Sequence, residues 1–113
     1  MPNYVALFCG TPTDGPPAGM TPETMRAGME AWHAWMQKHA ASVVEMGGPL
    51  GRTKKISKAG IVDIRNEVGG YTIVSADSHE AAAKMFEDHP HFAIFPGERV
   101  EVMEIKAIPT PPA

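Results

Sequence analysis

The segment Asn3–Cys9 (NYVALFC) constrains this chain more than any other feature, because it reads as a strand that is apolar on both sides. Residues of a strand alternate between its faces, so Tyr4, Ala6 and Phe8 share one face while Val5, Leu7 and Cys9 share the other. Neither set suits water. The segment Arg99 to Ile105 (RVEVMEI) repeats the pattern, with Val100 and Val102 pointing one way and Met103 and Ile105 the other. Helices packed on such a sheet cover one face only. A second copy laid sheet to sheet is the expected cover for the other face, giving a homodimer. The alternative is that the loop Gly10 to Met20 or a basic hairpin folds back over it.

Between these strands the order of elements is legible. Gly10 to Met20 (GTPTDGPPAGM) is too rich in Pro and Gly for regular structure, and a loop of that length often lies over a site. Thr21-Pro22-Glu23 starts a helix with a hydroxyl cap, a proline at the first helical position and an acid at the positive end. Met25, Met29, Trp32, Met36, His39 or Ala40, and Val43 trace one face of it. Its end is predicted near Ala41 to Val44, ahead of Met46-Gly-Gly-Pro49. Leu50 to Ala59 reads as an exposed basic hairpin or arm, and Ile61 to Ile64 as a short strand. Tyr71 to Ser75 (YTIVS) is a clearer strand, opened by Gly69-Gly70.

Asp77 or Ser78 then caps a second helix reaching about Glu87, with Glu80 placed as a capping-box partner if Asp77 is the cap, and Pro90 forbids its continuation. The resulting split βαββαβ order predicts an α+β ferredoxin-like antiparallel sheet with both helices on one face. Residues 1–108 are expected to form one domain and 109–113 a disordered tail.

Composition narrows the partners. With 113 residues, 43% hydrophobic, the chain has material for one small core. A net charge of -3 provides no footprint for nucleic acid. The chain contains no run long enough to span a membrane, no secretory leader is legible at Met1 to Cys9, and the single cysteine fits a reducing compartment, so a cytoplasmic protein is expected.

Histidines carry the candidate chemistry. His89 and His91 flank Pro90 with Asp88 before them, the densest titratable cluster in the chain, and imidazoles can move protons near neutral pH. The competing reading is a helix C-terminus that favours a cation, with His89 as a cap. His33, beside Trp32 and Trp35 on the first helix, is a further candidate. A metal held by His89 and His91 with His79, His33 or Asp88 lacks any signature spacing, so no metal and no cofactor is expected. Gly70 and Tyr71 at a strand start, with Phe8, Trp32 and Trp35, are the expected pocket residues; a turn or bulge is the competing role for the glycines. Arg52, Lys54, Lys55 and Lys58 either attract an anion or solvate an edge. Cys9 reads as a small apolar residue without a general base beside it.

Several motifs in order resemble the YCII-related (DGPF-type) proteins: Thr21-Pro-Glu-Thr-Met25 leading into Trp32 and Trp35, Gly47-Gly-Pro-Leu-Gly51, Gly69-Gly-Tyr71, Ser78-His-Glu-Ala-Ala82, and His89-Pro-His91 before Val100-Glu-Val102. The resemblance implies a dimeric α/β-barrel with a pocket beside the sheet for an unknown small-molecule ligand. A related dehydrochlorinating enzyme relies on a His and Asp pair, the Asp preceding a proline. Here His89 precedes Pro90, and His33 is the nearest candidate for the helix-borne histidine, so the dyad does not carry over. Ile61 to Glu67 (IVDIRNE) also lacks the Asp-Gly-Pro-Phe signature. The function expected is a His-dependent lyase or isomerase step on a small acid, with His89 as general acid or base assisted by His91, Asp88 or His33. The alternative is a non-catalytic binding or partner module.

Overall fold

The computed structural model describes residues 1–12 and 19–112; part of the loop Gly10 to Met20 and Ala113 of the tail lie outside them. The elements are β1 (Asn3–Cys9), α1 (Pro22–Lys38), β2 (Val43–Pro49), β3 (Thr53–Ser57), β4 (Gly60–Ile64), β5 (Val68–Ser75), α2 (His79–Lys84), α3 (Pro90–Ala93) and β6 (Arg99–Ile105). β2, β5, β1 and β6 form one antiparallel sheet in that order, while β3 and β4 pair separately as a hairpin. This is the α+β ferredoxin-like arrangement read from the sequence. No helix among the described residues is long and apolar enough to cross a membrane.

β1 is central, and its alternation organises the core. Tyr4, Ala6 and Phe8 are buried, with Val74 of β5, Trp35 of α1 and Ala82 of α2. Phe86, just past α2, completes this cluster, and Val100 and Val102 of β6 pack at its margin. The buried hydroxyl of Thr72 donates to the Met46 carbonyl at 2.9 Å, which removes the cost of placing it in the core. On the opposite face Val5 pairs across to Ile73 and to Met103, and Asn3 to Ile105. Met103 and Ile105 are each 43% exposed there.

Several local expectations are corrected. α1 ends at Lys38, short of the expected stop, and Val43–Pro49 forms an edge strand of the sheet. Ile61 to Ile64 is indeed a strand, but it belongs to the hairpin. The buried stripe of α1 is rotated away from Met25 and Met29, which are exposed, and runs through Gly28 and Trp35, with Trp32 and Met36 half-buried. Trp35 takes the inward position because its ring packs on Phe86 at 4.9 Å while its indole N–H donates to the Met85 carbonyl at 2.8 Å. Thr21 caps α1 as expected, and of the two cap candidates for α2 it is Ser78 that accepts from the Ala81 N–H, while that helix ends at Lys84, short of the expected Glu87. After β6, residues 106–112 carry no regular element.

β2 joins the sheet through a bulge between Glu45 and Gly48. Gly47 within it has φ +67°, and a Cβ there would overlap the Tyr71 backbone carbonyl, whereas Gly48 has open space around it. Gly47→Ala should therefore lower unfolding stability by about 2 kcal/mol or more. Gly48→Ala should stay within about 0.5 kcal/mol. Urea unfolding of both variants checks the contrast.

Candidate functional site

The site is built by the chain turning from α2 into α3. Asp88 takes a positive φ of 55°, a conformation Asp tolerates, and redirects the backbone. His89 follows in an extended conformation that suits a residue before proline, and Pro90 opens α3 at its first position. The His89 ring then caps this helix: its Nδ1 accepts the His91 backbone N–H at 3.0 Å. Sequence reading placed His89 at the C-terminal end of a helix. It stands instead at the N-terminal end of the next one, because Pro90 starts a helix here as well as stopping one.

Accepting at Nδ1 requires the neutral ring to carry its proton on Nε2. That Nε2 is buried and has no hydrogen-bond partner among the described residues. His89 is 0% exposed. Trp32 stands perpendicular to it at 4.6 Å between ring centroids, with Trp35 at 4.9 Å, Phe8 at 5.0 Å and Phe86 at 5.7 Å. Burial, with smaller contributions from His91 and His39, lowers its pKa from 6.5 to about 4. His89 is therefore a neutral, fixed ring at neutral pH.

His91 occupies the outer side of the same cluster, half-buried. Its Nε2 lies 2.8 Å from the Cys9 carbonyl oxygen and must donate to it, which leaves Nδ1 with the lone pair in the neutral ring. Two glycines make room here. A Cβ on Gly97 would overlap the His91 ring, and one on Gly28 would overlap the ring of Phe95, which in turn lies 6.1 Å from Trp32. His91, Phe8 and Phe95 line a broad groove whose far wall is the β3–β4 hairpin, with Arg52, Lys54 and Arg65 on it. The acids on its walls are engaged: Asp63 with Lys54 at 2.7 Å, Glu67 with Arg99 at 2.7 Å, and Glu98 with the Thr11 hydroxyl at 2.8 Å. The groove can thus hold a flat molecule against aromatic rings with Arg52 on the facing wall.

Of the residues singled out from sequence, the structure brings together His89, His91, Trp32, Trp35 and Phe8. Gly70 pairs with Phe8 across β1 and β5 and lets Gly48 of β2 approach closely. Asp88 is exposed, and His33 is exposed and hydrogen-bonds Gln37 at 3.2 Å. Tyr71 points to the uncovered sheet face, where its hydroxyl donates to Glu45 at 2.6 Å. His79 stacks on Tyr4, and no three metal-ligating side chains converge among the described residues. Cys9 is buried, and burial followed by Glu101 raises its thiol pKa, which keeps it protonated and unreactive. Sequence reading missed Phe95 and Gly97. Neither lies in a recognisable motif, because Gly97 accommodates the His91 ring and Phe95 packs over Gly28 only once the chain has folded.

The depressed pKa of His89 has a consequence for stability. The unfolded chain takes up this proton below about pH 6.5 while the folded chain resists until about pH 4. The contribution of neutral His89 is thus complete above the unfolded value and is lost as pH falls through that window. His89→Asn retains a capping acceptor without a titrating group. Between about pH 7 and 4.5 the wild type should lose roughly 2–3 kcal/mol more stability than this variant. Urea unfolding at the two pH values measures the difference.

No protein-family model matches this chain, and no curated protein matches it. Among solved structures it is similar to 5-chloro-2-hydroxyhydroquinone dehydrochlorinase from Burkholderia phenoliruptrix AC1100, determined in complex with 2,5-dihydroxybenzoquinone. The TM-score is 0.57 with 16% sequence identity, covering 92% of this chain and 93% of that one. The chain therefore shares the α+β ferredoxin-like fold of that enzyme.

Proposed function

We propose that this chain is a YCII-related protein that acts on a small planar acid, by a lyase or isomerase step in which His91 moves the proton. The observation that carries this reading is the paired imidazoles. His91 faces the groove with Nε2–H committed to the Cys9 carbonyl and Nδ1 as the proton acceptor, while buried His89 holds the His91 backbone in place. In such a step Nδ1 takes a proton from carbon beside a carbonyl. The electron pair then either expels a leaving group or is reprotonated at another carbon. Arg52 on the opposite wall suits the negative charge of an acid. A ligand in the related dehydrochlorinase structure is a small hydroxyquinone, which is the same chemical class.

One observation favours the alternative of a binding module without turnover: His89, whose pKa is depressed by burial, has no exposed surface. The two readings separate on a panel of hydroxyquinones and hydroxylated aromatic acids, followed by tryptophan fluorescence for binding and by product analysis for turnover. His91→Ala is expected to lower kcat by about a hundredfold or more while changing binding only a few-fold. Binding without turnover by the wild type would select the binding module, and absence of binding across the panel would reject both.

The chain also works as a homodimer joined through the uncovered sheet face. Support comes from Met103 and Ile105 in a row with Val5 and Ile73, apolar side chains that a monomer would leave against water. Met103→Glu should shift the protein to monomer in sedimentation equilibrium.

A further inference from the structure

We infer that the β3–β4 hairpin is a docking arm that packs on a second copy of this chain, placing its isoleucine pair and its positive charge against the partner's acidic body. This rests on the homodimer reading above. The hairpin hydrogen-bonds as a sheet of two strands and joins no strand of the main sheet. Two strands alone are marginal in water, so an arm of this kind needs a surface to lie on. The Cα radius of gyration is 16.2 Å, against about 13 Å for a compact domain of this length, an extension to which the arm and the exposed residues after β6 both contribute.

Both faces of the arm carry apolar side chains. Ile56 is paired with Ile61 on one face, 72% and 66% exposed, beside the Lys54–Asp63 ion pair. Val62, opposite Lys55, and Ile64, opposite Thr53, lie on the other. An exposed edge with isoleucines on it is a hazard unless it is covered.

Charge selects what covers it. The arm and its flanks, residues 52–65, hold Arg52, Lys54, Lys55, Lys58 and Arg65 against the single acid Asp63. These are five of the ten Lys and Arg of the chain and one of its thirteen Asp and Glu, so the rest carries twelve acids against five cations. A second copy thus offers the complementary field, and a two-fold dimer makes the contact twice. Paired isoleucines among the lysines do not suit a phosphate backbone, which rewards cations and hydroxyls and leaves apolar side chains unmatched.

Sedimentation equilibrium on the full chain tests this with the wild type, the double variant Ile56→Glu/Ile61→Glu, the double variant Lys55→Glu/Lys58→Glu, and Met103→Glu. Each arm variant should raise the dimer dissociation constant roughly tenfold or more. Added salt should weaken the wild type more than the lysine variant. Circular dichroism melting of the arm variants should match the wild-type monomer, because the arm lies outside the core. If Met103→Glu dissociates the dimer while both arm variants retain wild-type affinity, the arm inference is overturned and the sheet-face dimer stands. A wild type that stays monomeric at submillimolar concentration overturns both.

Discussion

β1 is hydrogen-bonded along both edges, to β5 and to β6, and the molecule is arranged about the two faces this leaves. One face takes the helices through Tyr4, Ala6 and Phe8. The other presents Val5 and Leu7 in a row with residues of β5 and β6. Phe8 links this frame to the site, because its ring touches Trp32, Phe86, His89 and His91 at once. The next residue, Cys9, supplies the carbonyl that orients His91. The end of the central strand therefore sets both the packing of the core and the direction of the outer imidazole.

The two histidines divide the work their local sequence could have shared. Burying an N–H without a partner costs about 1–3 kcal/mol, and His89 bears that cost at Nε2. Its aromatic contacts and the bond it accepts from the His91 N–H offset it. In return the start of α3 is held rigidly against the core, and His91 stands on a fixed backbone at the groove. Close packing there depends on absent side chains as much as on present ones, since Gly28 and Gly97 receive the rings of Phe95 and His91.

The same uncovered surfaces connect assembly to the site. The hairpin that forms the far wall of the groove also joins no strand of the main sheet. If it docks on a second copy, the groove's cationic wall becomes fixed by dimerization, and ligand affinity and self-association are then coupled through one element.

Local rules in the sequence were sufficient for β1, β5 and β6, for the Thr21 cap, and for the ferredoxin-like order, because alternation and capping act over a few residues. They failed where a distant atom decides. Val43–Pro49 reads as a helix end and a turn, yet it is a strand, because its bulge at Gly47 is shaped around the backbone of Tyr71. The stripe on α1 turned toward Trp35 because Phe86 and the Met85 carbonyl wait for that indole. The sequence by itself determined a strand apolar on both faces and a His-Pro-His run at the end of the second helix. Only the tertiary structure decided that His89 stays neutral, since desolvation by Trp32, Trp35, Phe8 and Phe86 comes from three separate parts of the chain.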